Sequence, residues 1–100
     1  MLMITVEHAS TLVTLRLEGQ LSRPEVGELS KTCDRAAFER PDRRLSIDVT
    51  GVESIDRHGR EFLAEIHRRG SRLIGRGTTA AIVDEIVAGR AAAERKPTPA

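Results

Sequence analysis

The stretch Leu45-Ser46-Ile47-Asp48-Val49-Thr50-Gly51-Val52-Glu53-Ser54-Ile55-Asp56-Arg57-His58-Gly59 carries the reading of the fold. Leu45, Ile47 and Val49 alternate with Ser46, Asp48 and Thr50, the period of a half-buried strand. Gly51 reads as the end of that strand, and residues 52–55 as a loop pinned inward by Val52 and Ile55. Asp56 then stands where a helix N-cap belongs, ahead of a helix to about Arg69 whose buried face is Phe62, Leu63 and Ile66. Gly70 stops it.

Upstream, Leu2 to Val6 and Thr11 to Leu17 are two β-type runs joined by a short polar connection, which predicts an antiparallel hairpin. Gly19 breaks the second run, and Leu21 is expected to pack beneath the next element. Ser22-Arg23-Pro24-Glu25 is a helix start: Ser22 as cap, Glu25 completing a capping box, and Pro24 where no intrahelical donor is needed. Val26, Leu29, Cys33, Ala36 and Ala37 follow on one helical face, and Pro41 ends the helix. Downstream, Leu73-Ile74 makes a short strand, and Thr78 or Thr79 caps a last helix built on Ile82, Val83, Ile86 and Val87. Beyond Gly89 the alanine-rich run and Lys96-Pro97-Thr98-Pro99 read as a frayed tail, so the folded domain is placed at 1–90 and the tail at 91–100.

The order β-β-α-β-α-β-α predicts a single α/β domain with a mixed, mainly parallel sheet and helices packed largely on one face. Right-handed crossovers place the strands around Ile47 and Leu73 side by side and parallel. One hundred residues suffice for one modest core. With Phe38 and Phe62 the only aromatic residues, that core must be aliphatic.

The same scarcity argues against single-stranded nucleic acid as a ligand, since base stacking needs aromatic platforms. A net charge of +1 removes any global pull toward nucleic acid or anionic membrane. Charge is nonetheless uneven: Arg57, Arg60, Arg68, Arg69, Arg72 and Arg76, with His58 and His67, face only Asp56, Glu61 and Glu65 within the same stretch. That predicts a locally basic surface, either a solvated helix face or a dock for an acidic partner. Cys33 stands alone, so no internal disulfide forms, and on an apolar stripe it is read as a small buried hydrophobe. No apolar run has membrane-spanning length and no signal-peptide layout opens the chain, which makes the cytoplasm the expected compartment.

Three segments, Gly19-Gln20-Leu21, Ile47 to Val52, and Ile55-Asp56-x-x-Gly59, fall in order and at fitting distances to resemble the STAS domain family. This family includes anti-sigma factor antagonists and the tails of sulphate transporters. The resemblance covers most of residues 3 to 88 and implies the fold already deduced, although the family normally continues with a further strand and a longer C-terminal helix. In the family the tetrapeptide at the helix entry is usually Asp-Ser-Ser-Gly or Asp-Ser-Thr-Gly, and a partner kinase phosphorylates a hydroxyl in it. Here Asp56 and Gly59 remain while Arg57 and His58 occupy both hydroxyl positions. No phosphorylation is expected there. Ser54, two residues upstream of Asp56, is the nearby hydroxyl to weigh as a displaced site, and it too is expected to stay unmodified. The resemblance gives an acidic residue such as Asp48 a part in positioning the loop, by pairing with Arg57 or Arg60 or by holding loop amides.

The leading expectation is therefore a non-catalytic interaction module that binds an anti-sigma factor or a related ATP-binding regulator through Ser54, Asp56, Arg57, His58, Gly59, Arg60 and Glu61. It needs no cofactor or metal. The resemblance also allows a subunit that steadies the ATPase of an ABC-type lipid transporter, which fits an absent phosphoswitch. From another class, Asp56 and His58 with Asp48 have the residue types of an acid–base set. No nucleophile motif, phosphate-cradling glycine loop or metal-ligand cluster accompanies them. Self-association through an exposed sheet edge is left open.

Overall fold

The computed structural model describes the backbone of residues 1–95 and the side chains of residues 1–88. Its elements are β1 (Leu2–His8), β2 (Leu12–Leu21), α1 (Arg23–Glu39), β3 (Arg44–Ile55), α2 (Arg57–Arg68), β4 (Arg72–Ile74) and α3 (Thr78–Arg95). The sheet order is β1-β2-β3-β4. β1 and β2 pair antiparallel as the hairpin expected from their alternation, and β2-β3 and β3-β4 pair parallel. The strands around Ile47 and Leu73 are thus the parallel neighbours expected, with Ile47 opposite Leu73.

One sheet face carries the core. Leu15, Leu17 and Leu21 of β2 and Ile47 and Val49 of β3 pack against Leu29 and Cys33 of α1, Leu63 and Ile66 of α2, and Ile86 of α3. These are aliphatic side chains and one thiol, as the near absence of aromatics demanded. Burial pushes the Cys33 thiol up to about 12, with Asp34 adding to it, so it stays protonated at neutral pH.

Three local expectations are corrected. Gly51 does not end β3, and residues 52–55 are not a loop: the strand runs on to Ile55, with Val52, Ser54 and Ile55 paired to Gly19, Gln20 and Leu21. Two register shifts, between Arg16 and Glu18 and between Gly19 and Gln20, keep both strands paired through their irregular stretch. Gly51 is required there by close approach, since a Cβ would lie 2.9 Å from Glu18 Cγ and 3.0 Å from the Leu17 carbonyl. The Ser22 hydroxyl does not cap α1 but bonds the Glu25 carboxylate. Likewise the Thr79 hydroxyl lies within the first turn of α3 and ties back to Arg76, accepting from its amide at 2.9 Å and donating to its carbonyl at 2.7 Å. The backbone of α3 continues to Arg95, past the boundary set at residue 90, and residues 96–100 lie outside the described residues. Among the described residues no helix is long and apolar enough to cross a membrane.

Candidate functional site

The entry to α2 is organised by one carboxylate. Asp56 is the N-cap, with extended backbone, and its Oδ1 accepts the Gly59 amide at 2.8 Å. Its Oδ2 accepts the Arg23 amide at 2.9 Å, which is the first residue of α1. The Asp56 amide in turn donates to the Leu21 carbonyl at 3.1 Å. A single residue thus satisfies donors at the N-termini of two helices and closes the end of β2. Both helix dipoles present their positive ends to it.

These bonds hold the Asp56 carboxyl below its ordinary value, the Gly59 amide most strongly, with the Arg23 amide and His58 adding to it against a partial desolvation. A depressed folded-state pKa means stability that is present above the unfolded value and lost as pH falls through the folded one. The native chain is accordingly expected to lose stability in acid, below the ordinary carboxylate range of about 4. A variant with asparagine at position 56 should show a shallower loss, measured as melting temperature against pH.

Gly59 is the second fixed point. It is buried, and a Cβ there would sit 2.8 Å from the Leu21 carbonyl oxygen and 2.9 Å from Ile55 Cγ2 and Leu21 Cγ. The glycine lets the first turn of α2 lie directly on the paired ends of β2 and β3. Its role is packing.

Arg57 and His58 sit between these two anchors and are exposed. The Arg57 side chain is 85% exposed and reaches Glu61 at 3.4 Å. Arg60 pairs with Glu85 of α3 at 3.2 Å. Ser54 is exposed at the end of β3. Of the residues expected to form the contact surface, Ser54, Arg57, His58, Arg60 and Glu61 are therefore presented outward, while Asp56 and Gly59 hold the entry together.

Asp48 does not join them. Because β3 continues to Ile55, Asp48 lies in mid-strand, roughly 26 Å along the chain from Asp56. Its Oδ1 accepts the Thr50 amide at 2.9 Å, where the ladder is irregular, rather than meeting Arg57 or Arg60. The acid–base trio of Asp48, Asp56 and His58 is not assembled. The expected basic surface is also reduced. Arg57, Arg60, Arg68 and Arg69 are ion-paired with Glu61, Glu85 and Glu65, leaving Arg72 and Arg76 without an ion pair among the described residues. Such exposed pairs contribute about 0–1 kcal/mol each, so they set surface charge more than stability.

Arg23, Leu21 and Glu85 complete the site; Leu21 was expected from sequence as a packing residue, while Arg23 and Glu85 were not singled out. Only the Ser22–Glu25 helix-start pattern pointed to the region of Arg23, and nothing local pointed to Glu85.

With this geometry the chain aligns with several solved structures, anti-sigma factor antagonists among them. It matches an anti-sigma factor antagonist from Mycobacterium paratuberculosis over 100% of this chain and 87% of that one, with a TM-score of 0.74 at 17% identity. The fold is STAS-like. The anti-sigma factor antagonist SpoIIAA in its unphosphorylated form aligns over 83% of each chain, with a TM-score of 0.61 and 16% identity. Mglu aligns over 73% of this chain with a TM-score of 0.59 and 23% identity, but the chain spans only 19% of Mglu's length. No protein-family model matches the sequence, and no curated protein matches it. At these identities the likeness is one of STAS-like architecture, and the entry to α2 is described by this chain's own residues.

Proposed function

We infer that the chain is a non-catalytic protein-interaction domain that docks on an anti-sigma factor or a related ATP-binding regulator in the bacterial cytoplasm, and so acts on transcription. The observation that carries this reading is the division of labour at the entry to α2. Asp56 and Gly59 fix the backbone, and Arg57 and His58 stand exposed between them where a switch hydroxyl would otherwise be. The fold shared with anti-sigma factor antagonists supports the class of partner.

Arg57 is a cation at the positive end of a helix, an arrangement disfavoured by a few tenths to about 1 kcal/mol. The Asp56 carboxylate and the Glu61 partner offset this. With no hydroxyl at 57 or 58, docking is governed by shape and charge alone and persists without a phosphate cycle at this position. The contact surface consists of Ser54, Arg57, His58, Arg60 and Glu61.

A crosslinked pull-down of the tagged chain from its own cytoplasm, with mass spectrometry of both partners, tests the reading. The expected recovery is an anti-sigma factor or its kinase, with Ser54 unmodified in the captured chain. Recovery of a transporter ATPase in its place would overturn the sigma-regulatory reading, and a phosphate mapped to Ser54 would overturn the unswitched one.

A further inference from the structure

The two edges of the sheet are not alike. β4 is three residues long, begins with Arg72 and is followed by Gly75, a short and charged edge that resists pairing. β1 is seven residues long, and its first five, Leu2-Met3-Ile4-Thr5-Val6, contain no charge and no proline. Its Glu7 is already engaged by Arg16 of β2 at 3.2 Å. Four large apolar side chains are exposed among the described residues, and three of them, Met1 at 95%, Met3 at 62% and Val6 at 41%, lie on or beside this strand. The fourth, Phe38, is isolated on α1 and is the kind of single exposed residue that needs no explanation. α1 packs over β2 and β3 and leaves β1 largely uncovered.

The direction of the free backbone groups follows from the hairpin. The Met1 carbonyl accepts the Gln20 amide at 2.9 Å, and the Ala9 amide donates to the Leu12 carbonyl at 2.8 Å. Odd-numbered residues of β1 therefore point their amides and carbonyls at β2, and Leu2, Ile4 and Val6 point theirs outward. The same three residues place their side chains on the helix-bearing face, where Ile4 pairs with Leu17 and Val6 with Leu15.

We propose that β1 pairs with β1 of a second copy, antiparallel about a two-fold axis at Ile4, joining two four-stranded sheets into one. In that register Ile4 faces Ile4 and Leu2 faces Val6, so every outward backbone group from Leu2 to Val6 finds its complement, about six hydrogen bonds in all. Every pair on the helix-bearing face is apolar against apolar, and Met3 lies opposite Thr5 on the other face. The neighbouring two-fold register, centred on Thr5, puts Leu2 against His8 and Met3 against Glu7. A strand complementary to itself in one register makes an isologous contact that closes at two copies. The contact uses neither Arg57 nor His58 and stands apart from the proposed partner.

The test is sedimentation equilibrium of the full chain from about 10 μM to about 1 mM, the range suited to an interface at the small end of the size scale. The native chain is expected to shift from monomer to dimer across it. Val6→Lys, at an exposed position, is expected to keep the melting temperature and weaken the dimer at least about tenfold, since lysine on an edge opposes strand pairing. A second variant, Met3→Cys with Thr5→Cys, is expected to form a disulfide-linked dimer under mild oxidation, because the two positions face each other across the axis at about 4.5 Å between Cα atoms. A chain that stays monomeric throughout and does not crosslink overturns the proposal, as does a dimer that Val6→Lys leaves equally tight.

Discussion

Asp56→Asn is expected to lower the melting temperature by roughly 4–8 °C, although asparagine is itself among the favoured N-cap residues. The reason is the count of acceptors. Aspartate offers two oxygens, one to Gly59 and one to Arg23. Asparagine offers one, and its amide donors would face the second helix's amide. One helix start keeps its cap and the other loses it. Asp56→Ala loses both and is expected to fall roughly twice as far. Thermal unfolding followed by circular dichroism reads the difference. An asparagine variant melting with the native chain would mean that the bond between the two helices contributes nothing.

Gly59→Val is the second large effect. A Cβ at this position already falls within 2.9 Å of three atoms, and one of them is the Leu21 carbonyl, which is fixed by the Asp56 amide. Backbone at the end of two paired strands cannot give way as a side-chain tip could. Overpacking of this kind costs about 1–3 kcal/mol and sometimes more. Gly59→Ala regains about 1 kcal/mol through helix propensity, so its net loss is expected to be about 0–2 kcal/mol. Valine adds bulk without that gain, and a loss of about 3 kcal/mol or more is expected in urea unfolding. A valine variant as stable as the native chain would mean that the helix start does not rest on the strand ends.

Local chemistry made much of this fold legible. Alternation in residues 12–17 and 45–50 identified strands, the spacing of Leu29, Cys33 and Ala36 identified a helix face, and Asp56 before an apolar helical pattern identified a cap. What escaped depends on groups far apart in the chain. Gly51 read as a terminator because a glycine in a strand pattern also marks a turn. Only the approach of Glu18 and Leu17 from β2 reveals that it marks a close contact. The mistake carried over to Asp48, which a shorter β3 would have left near the helix entry. The second hydrogen bond of Asp56 joins residues 33 apart in sequence, and no local pattern encodes it. The arginine-rich stretch looked basic because one of its neutralising partners, Glu85, comes from α3.

At the candidate site itself, the sequence placed Asp56, Arg57, His58 and Gly59 at a helix entry but did not separate its supports from its exposed residues. Asp56 and Gly59 were grouped with Arg57 and His58 because all four lie in one tetrapeptide. Hydrogen-bond geometry and burial separate them, assigning the first two to the scaffold and leaving the others facing solvent.

The most direct measurement places a photo-activated crosslinking residue at position 58 in one variant and at position 38, on the exposed outer face of α1, in another, with both irradiated in the native cytoplasm. A covalent adduct with one regulatory partner is expected from position 58 and none with that partner from position 38. Adducts with that partner from position 38 alone would contradict that expectation, because the docking face would then lie on α1 and not at the entry to α2.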